Sequence, residues 1–253
     1  MTRTRKSVGR ISFVGAGPGD PGLLTRRAYD ALLAADHVVY DRDVPEPLLA
    51  WIRAEAEAAQ QAEASNGLPA LESPDPAEAM QFSPAEGVPG DVAKVLLSAA
   101  RSGLRAVHLV AGDPFEHDSV VKEVQAVART AVPFEVVPGV SGPGAVATYA
   151  GVALTGVRTT VDVEDINEVD FDALATAAPR GLAATVDAGD LAAIRDGLLA
   201  AGLDGTTPIA ITGDGTGDTQ YTTASTVDSF VAAALGFSGR VVLSLGSGLA
   251  HRE

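Results

Sequence analysis

The chain has 253 residues, 46% of them hydrophobic and 20% charged, enough for one large core or two modest ones. A formal charge of −15 argues against nucleic acid or an anionic membrane as a partner, since both are held chiefly by lysine and arginine. The absence of cysteine excludes disulfides, thiolate metal sites and cysteine nucleophiles, and with 4 histidines no metal centre is expected. No apolar run reaches the roughly 18 residues of a membrane span and no signal peptide opens the chain, so a cytoplasmic protein is expected.

Ile11 to Val14 reads as a short buried strand that breaks into Gly15, Gly17, Gly19 and Gly22, with Pro18 and Pro21 between them. The glycines permit positive φ or a close backbone approach, and the prolines stiffen the loop. Such a loop after a first strand is where open α/β sheets bind ligands. The dinucleotide fingerprint G-x-G-x-x-G does not fit, because Asp20 stands at its third glycine and Pro18 and Pro21 delay the helix. Asp41, placed like a ribose-binding acid, keeps a nicotinamide enzyme as a minor alternative.

A helix is expected over 25–35, a strand over 37–40 ending at Asp41-Arg42, and a helix over 44–59. Residues 60–91 read as an acidic loop in which Leu68 and Leu71 can pack and any strand is short; no basic residue lies between Arg53 and Lys94. Next come a helix over 92–100, a strand over 106–110 running into Ala111-Gly112-Asp113-Pro114-Phe115, and a helix over 119–129. A strand over 134–137 then ends in Pro138-Gly139-Val140-Ser141-Gly142-Pro143-Gly144. Strand–turn–helix units with Gly/Pro loops at the strand ends predict a parallel α/β sheet. Beyond residue 150 the strands are expected at 158–163, 182–186, 208–212, 220–224 and 240–245, with helices over 190–201 and 226–235. Consecutive strands without a helix between them predict a mixed sheet. The reading is α/β with two domains, a parallel one over 8–139 and a mixed one over 140–248.

The glycine-rich strand ends, taken with Tyr40-Asp41-Arg42, resemble the tetrapyrrole methylase family, and most closely its uroporphyrinogen-III C-methyltransferases. Val14 to Thr25 matches the family's opening motif at every position, and Ala35 to Arg42 its second. Gly112-Asp113-Pro114-Phe115, Val136 to Ser141 with Tyr149 to Thr155, and Thr207 to Thr216 resemble three more. The resemblance implies two α/β domains with a ligand cleft between them, a homodimer, and S-adenosyl-L-methionine as cofactor. It implies cofactor contacts at Pro18, Ala111, Gly112, Asp113, Ser141, Gly142 and Gly215, Asp41 as catalytic base, and Arg42 on a substrate carboxylate. The reaction implied is C-methylation of a tetrapyrrole, uroporphyrinogen III, on the siroheme and cobalamin route. Each loop taken alone also reads as a structural turn, Asp41 as a helix cap, and Arg42 as a solvated charge.

Departures cluster on the substrate side. His108 and Val110 stand where the family usually has arginine and lysine, Ser119 and Lys122 where it has arginine and glutamate, and Gly156-Val157 where it has His-Arg. His108 and His117 are available to replace lost charge if protonated, although a histidine at a strand end reads first as structural. A multiply carboxylated substrate needs fixed cations, and each lost charged contact costs about 1.5–3 kcal/mol. Two alternatives therefore stand beside the tetrapyrrole methyltransferase. One is a catalytically degenerate methylase-like domain that scaffolds or regulates beside uroporphyrinogen-III synthase. The other is a methylase for a less anionic substrate.

Overall fold

The computed structural model describes residues 7–66, 80–154, 156–178, 181–245 and 248–249, so Leu68 and Leu71 lie outside the described residues. The chain divides into two compact units, Met1–Val140 and Ser141–Glu253.

The first unit alternates strand and helix: β1 (Arg10–Gly15), α1 (Arg26–Leu33), β2 (His37–Tyr40), α2 (Glu46–Asn66), β3 (Gln81–Pro84), α3 (Pro89–Arg101), β4 (Arg105–Val110), α4 (Asp118–Ala128) and β5 (Phe134–Val137). The five strands form one parallel sheet in the order β3-β2-β4-β1-β5. Period-2 alternation splits their side chains between two cores. Ile11, Phe13, Val39, Ala106 and Val110 face α3 and α4, whereas Val14, Val38, Val107 and Leu109 face α1 and α2. Helices thus cover both faces, as a parallel sheet requires. The neighbours β1 and β4 send their following helices to opposite faces, which marks the gap between their carboxyl ends as a topological switch point.

The second unit carries α5 (Gly142–Tyr149), β6 (Val152–Ala153), β7 (Thr159–Asp162), α6 (Phe171–Ala177), β8 (Leu182–Asp187), α7 (Leu191–Ala200), β9 (Pro208–Gly213), β10 (Tyr221–Thr226), α8 (Phe230–Ala233), β11 (Arg240–Leu245) and β12 (Gly248–Leu249). Its main sheet runs β10-β9-β11-β8-β7 and is mixed: β7 and β8 are parallel, the other pairs antiparallel. Ile209, Ile211, Val186, Val241 and Leu243 pack with Leu174, Ile194, Leu198 and Phe230 of α6 to α8. The other face carries the smaller Ala183, Ala210 and Val242, and α5 lies on it through Val146 and Ala147.

The acidic stretch departs from its reading as a loop where α2 runs on to Asn66, whereas Gln81–Pro84 forms a short edge strand beside β2, as that reading allowed. Helices α5 and α6 were not expected, and the helix expected over 226–235 shortens to Phe230–Ala233, with Thr226 belonging to the end of strand β10.

Three loops at the carboxyl edge of the first sheet are locked together by glycines. Gly112 N–H donates to Gly17 O (2.8 Å) and Gly17 N–H to Gly112 O (3.2 Å), with both residues at positive φ (65° and 67°). A Cβ on Gly15 would lie 2.5 Å from both Gly112 O and Gly139 N, and one on Gly139 would run into Gly112 O. These clashes are with backbone, which cannot swing away. Gly139→Ala should destabilise the protein by about 1–3 kcal/mol, the usual range for overpacking. Urea unfolding of the two proteins checks this, and equal midpoints would show that the loops are free to separate.

Candidate functional site

The first unit gathers its share of the expected residues at the ends of β1, β2 and β4. Pro18 is half-buried beside Gly17, and Gly112 is the bridge partner of that loop. The carbonyl of Ala111 lies 2.8 Å from His117 Nε2, a buried ring at the start of α4. Asp113 ties the loop from within. Its Oδ1 accepts from Phe115 N–H (2.9 Å) and its Oδ2 from Gly139 N–H (3.0 Å), while Glu116 reaches back to complete a capping box. Asp113 therefore holds the ends of β4 and β5 together, a role its sequence context did not disclose.

Asp41 follows β2 directly. Its N–H donates to Leu109 O (2.9 Å), which fixes the backbone against β4, and its side chain is 32% exposed. The carboxylate faces the ring of His108, with Oδ1 3.5 Å from Nε2. On the other side of that ring, Nδ1 lies 2.7 Å from Glu123 Oε2, the close contact of an ion pair without the alignment of a good hydrogen bond. His108 has no solvent exposure and Glu123 has 3%. Burial opposes the charged imidazole, but the two carboxylates outweigh it and raise the His108 pKa from 6.5 to about 9. The ring is thus an imidazolium at neutral pH. Arg42 projects into solvent, 90% exposed, with Nε 3.7 Å from Asp43 Oδ1.

Sequence reasoning missed Glu123. Its signal was present: α4 buries Val120, Glu123 and Val127, so an acid interrupts an otherwise apolar helical stripe. An acid at such a position calls for a buried polar or charged partner, and the facing strand supplies His108.

The second unit brings Gly215 against α5, the helix that begins at Ser141-Gly142. A Cβ on Gly215 would lie inside contact distance of the Val146 side chain. The flanking Asp214 and Thr216 both adopt positive φ (48° and 67°), and for a β-branched residue this is a strained conformation. Thr216 N–H donates to Gln220 Oε1 (2.7 Å), which helps to hold it there. Ser141 Oγ is buried without a hydrogen-bond partner, and a Cβ on Gly142 would meet nothing within 4 Å.

Residues 10–231 match the family described as Tetrapyrrole (Corrin/Porphyrin) Methylases. The chain belongs to that family. It is 33% identical over 234 residues to siroheme synthase 1 of Klebsiella pneumoniae subsp. pneumoniae, covering 90% of this chain and 46% of the relative. The chain therefore spans about half the length of the curated relatives it matches. Among solved structures it resembles the native uroporphyrin III C-methyltransferase of Thermus thermophilus, with a TM-score of 0.73 and 26% identity over 94% of this chain and 98% of that one. A complex of the Thermus thermophilus enzyme with S-adenyl homocysteine gives a TM-score of 0.70 at 25% identity, over 94% and 92% of the chains.

Family membership implies S-adenosylmethionine, and the residues present fit it. The orphaned Ser141 hydroxyl can pair with a polar ligand, and the open side of Gly142 leaves room for one.

The buried ion pair makes stability depend on pH. Because the folded pKa of His108 lies above the unfolded value, its contribution is complete below about pH 6.5 and is lost as pH rises through about 9. His108→Gln leaves Glu123 buried without its counter-ion and should cost about 3–5 kcal/mol. His108→Gln combined with Glu123→Gln should recover much of that loss and flatten the pH dependence. Urea denaturation between neutral pH and pH 10 measures both effects; a single variant as stable as wild type would show that the ring is neutral.

Proposed function

We propose that this chain is an S-adenosylmethionine-dependent methyltransferase that methylates a carbon of a tetrapyrrole, uroporphyrinogen III. The observation that carries this is the family match over residues 10–231, joined to a likeness to the Thermus thermophilus enzyme that runs the length of both chains. Pro18, Ala111, Gly112 and Asp113 on the first unit, and Ser141, Gly142 and Gly215 on the second, are taken as cofactor contacts. Backbone groups of the glycine positions suit close polar contacts, and Ser141 Oγ adds a free hydroxyl. When bound, S-adenosylmethionine supplies a methyl group on a sulfonium centre with its own leaving group.

The protein's own share is to position the substrate, exclude water and take up one proton. The pyrrole carbon that takes the methyl group is already fully substituted, so the cation left by methylation is neutralised by loss of a proton from elsewhere in the macrocycle; Asp41, at a strand end with a partly exposed carboxylate, is taken as the group that accepts it. Arg42, extended into solvent, can hold a substrate carboxylate through a two-pronged pair. The same reading carries a homodimer and a cytoplasmic location; among the described residues no helix is long and apolar enough to cross a membrane.

Calorimetry with S-adenosylmethionine and its demethylated product should give saturable binding. Incubation with uroporphyrinogen III should then yield mono- or dimethylated product by mass, and Asp41→Asn should bind cofactor normally while losing turnover by about 10²-fold or more. Cofactor binding without methylation of uroporphyrinogen III would point to a less anionic substrate, a reading that the formal charge of −15 favours. No cofactor binding at all would overturn the proposal.

A further inference from the structure

A buried charged histidine needs a reason. Replacing a buried ion pair with apolar side chains of similar volume is commonly neutral or stabilising, so burial between carboxylates is not explained by stability. The two nitrogens of His108 face different partners. Nδ1 meets Glu123, which is sealed in the core, and Nε2 meets Asp41, which retains solvent access at the end of β2. The ring therefore links a fixed interior anchor to a carboxylate at the edge of the sheet. Its remaining surroundings hold it still. Phe13 of β1 meets the imidazole edge-on, with ring centroids 6.0 Å apart and planes at 67°, and Val39 of β2 is its register neighbour. Among the described residues, the charged groups that face it are Asp41, beyond β2, and Glu123, on α4.

We propose that His108, clamped by Glu123, is a positioning residue for Asp41: the imidazolium holds the Asp41 carboxylate in one orientation at the end of β2, ready to take the substrate proton. This rests on the reading of Asp41 as the base. Glu123 keeps the ring oriented and charged and has no contact with substrate in this scheme. Above the pH at which the ring loses its proton, Asp41 loses the partner that orients it.

The test uses the full chain with S-adenosylmethionine and uroporphyrinogen III. Wild type, Asp41→Asn, and the double variant His108→Gln with Glu123→Gln are compared from about pH 6.5 to 10. The double variant leaves no buried charge behind, so loss of fold does not confuse the result. Wild type should lose rate as pH passes about 9. The double variant should keep its KM for S-adenosylmethionine, fall about tenfold or more in kcat at neutral pH, and lack the basic limb. A double variant with wild-type kcat, alongside an inactive Asp41→Asn, would overturn the positioning role and leave the base intact. Full turnover by Asp41→Asn would instead overturn the base and the positioning role with it. Imidazole NMR gives a readout independent of activity. The His108 titration midpoint should move to lower pH in Asp41→Asn, and an unmoved midpoint would overturn the proposal whatever the rates show.

Discussion

An imidazolium without solvent contact, held between a core glutamate and an aspartate at the sheet edge, constrains the whole carboxyl edge of the first unit. Removing charge from water costs several kcal/mol per ion, and the cost is offset only while all partners stay in place. The strand β4 must therefore keep its register against β2, or His108 and Asp41 separate. The helix α4 must present Glu123 inward, or the ring is left uncompensated. The packing of β2, β4 and α4 is thus coupled to the direction of one partly exposed carboxylate. That carboxylate is the one we propose as the base.

The glycine loops act on the same edge by a different force. Gly15 and Gly139 are required because a Cβ on either would meet the backbone of another loop, Gly112 is favoured by its positive φ, and Asp113 joins the β4 and β5 ends through Gly139 N–H. Excluded volume and hydrogen bonding, rather than charge, set the spacing there. A rigid loop cluster beside a charge-fixed carboxylate is the kind of pre-organised setting in which a reaction that needs mainly positioning can run.

Much of this was legible in the sequence. The β-branched runs at 11–14, 37–40 and 106–110 marked the parallel strands, and the Gly/Pro clusters after them marked the functional edge, because both signals are local. The long opening motif at 14–25 led to the family. What stayed hidden depends on contacts distant in sequence. The helix α5 is rich in glycine, alanine and proline and carries no clear period; it forms because it covers the small-residue face of the second sheet. Asp113 read as a ligand contact, and its further role, accepting from two backbone donors to tie the loops together, was not legible. His108 read first as a structural strand-end histidine, available to replace lost charge if protonated, and its pairing stayed hidden because its partners are 67 and 15 positions away, at Asp41 and Glu123. The glutamate between Val120 and Val127 was the visible clue, and pairing it with a basic residue on the facing strand would have exposed the site.

The most direct test of the account is a high-resolution structure of the protein carrying His108→Gln and Glu123→Gln. If the imidazolium orients the carboxylate, the sheet and α4 will superpose on the parent while the Asp41 side chain leaves its place facing residue 108. An Asp41 carboxylate found in its parent orientation, with the rest of the fold unchanged, would contradict the account.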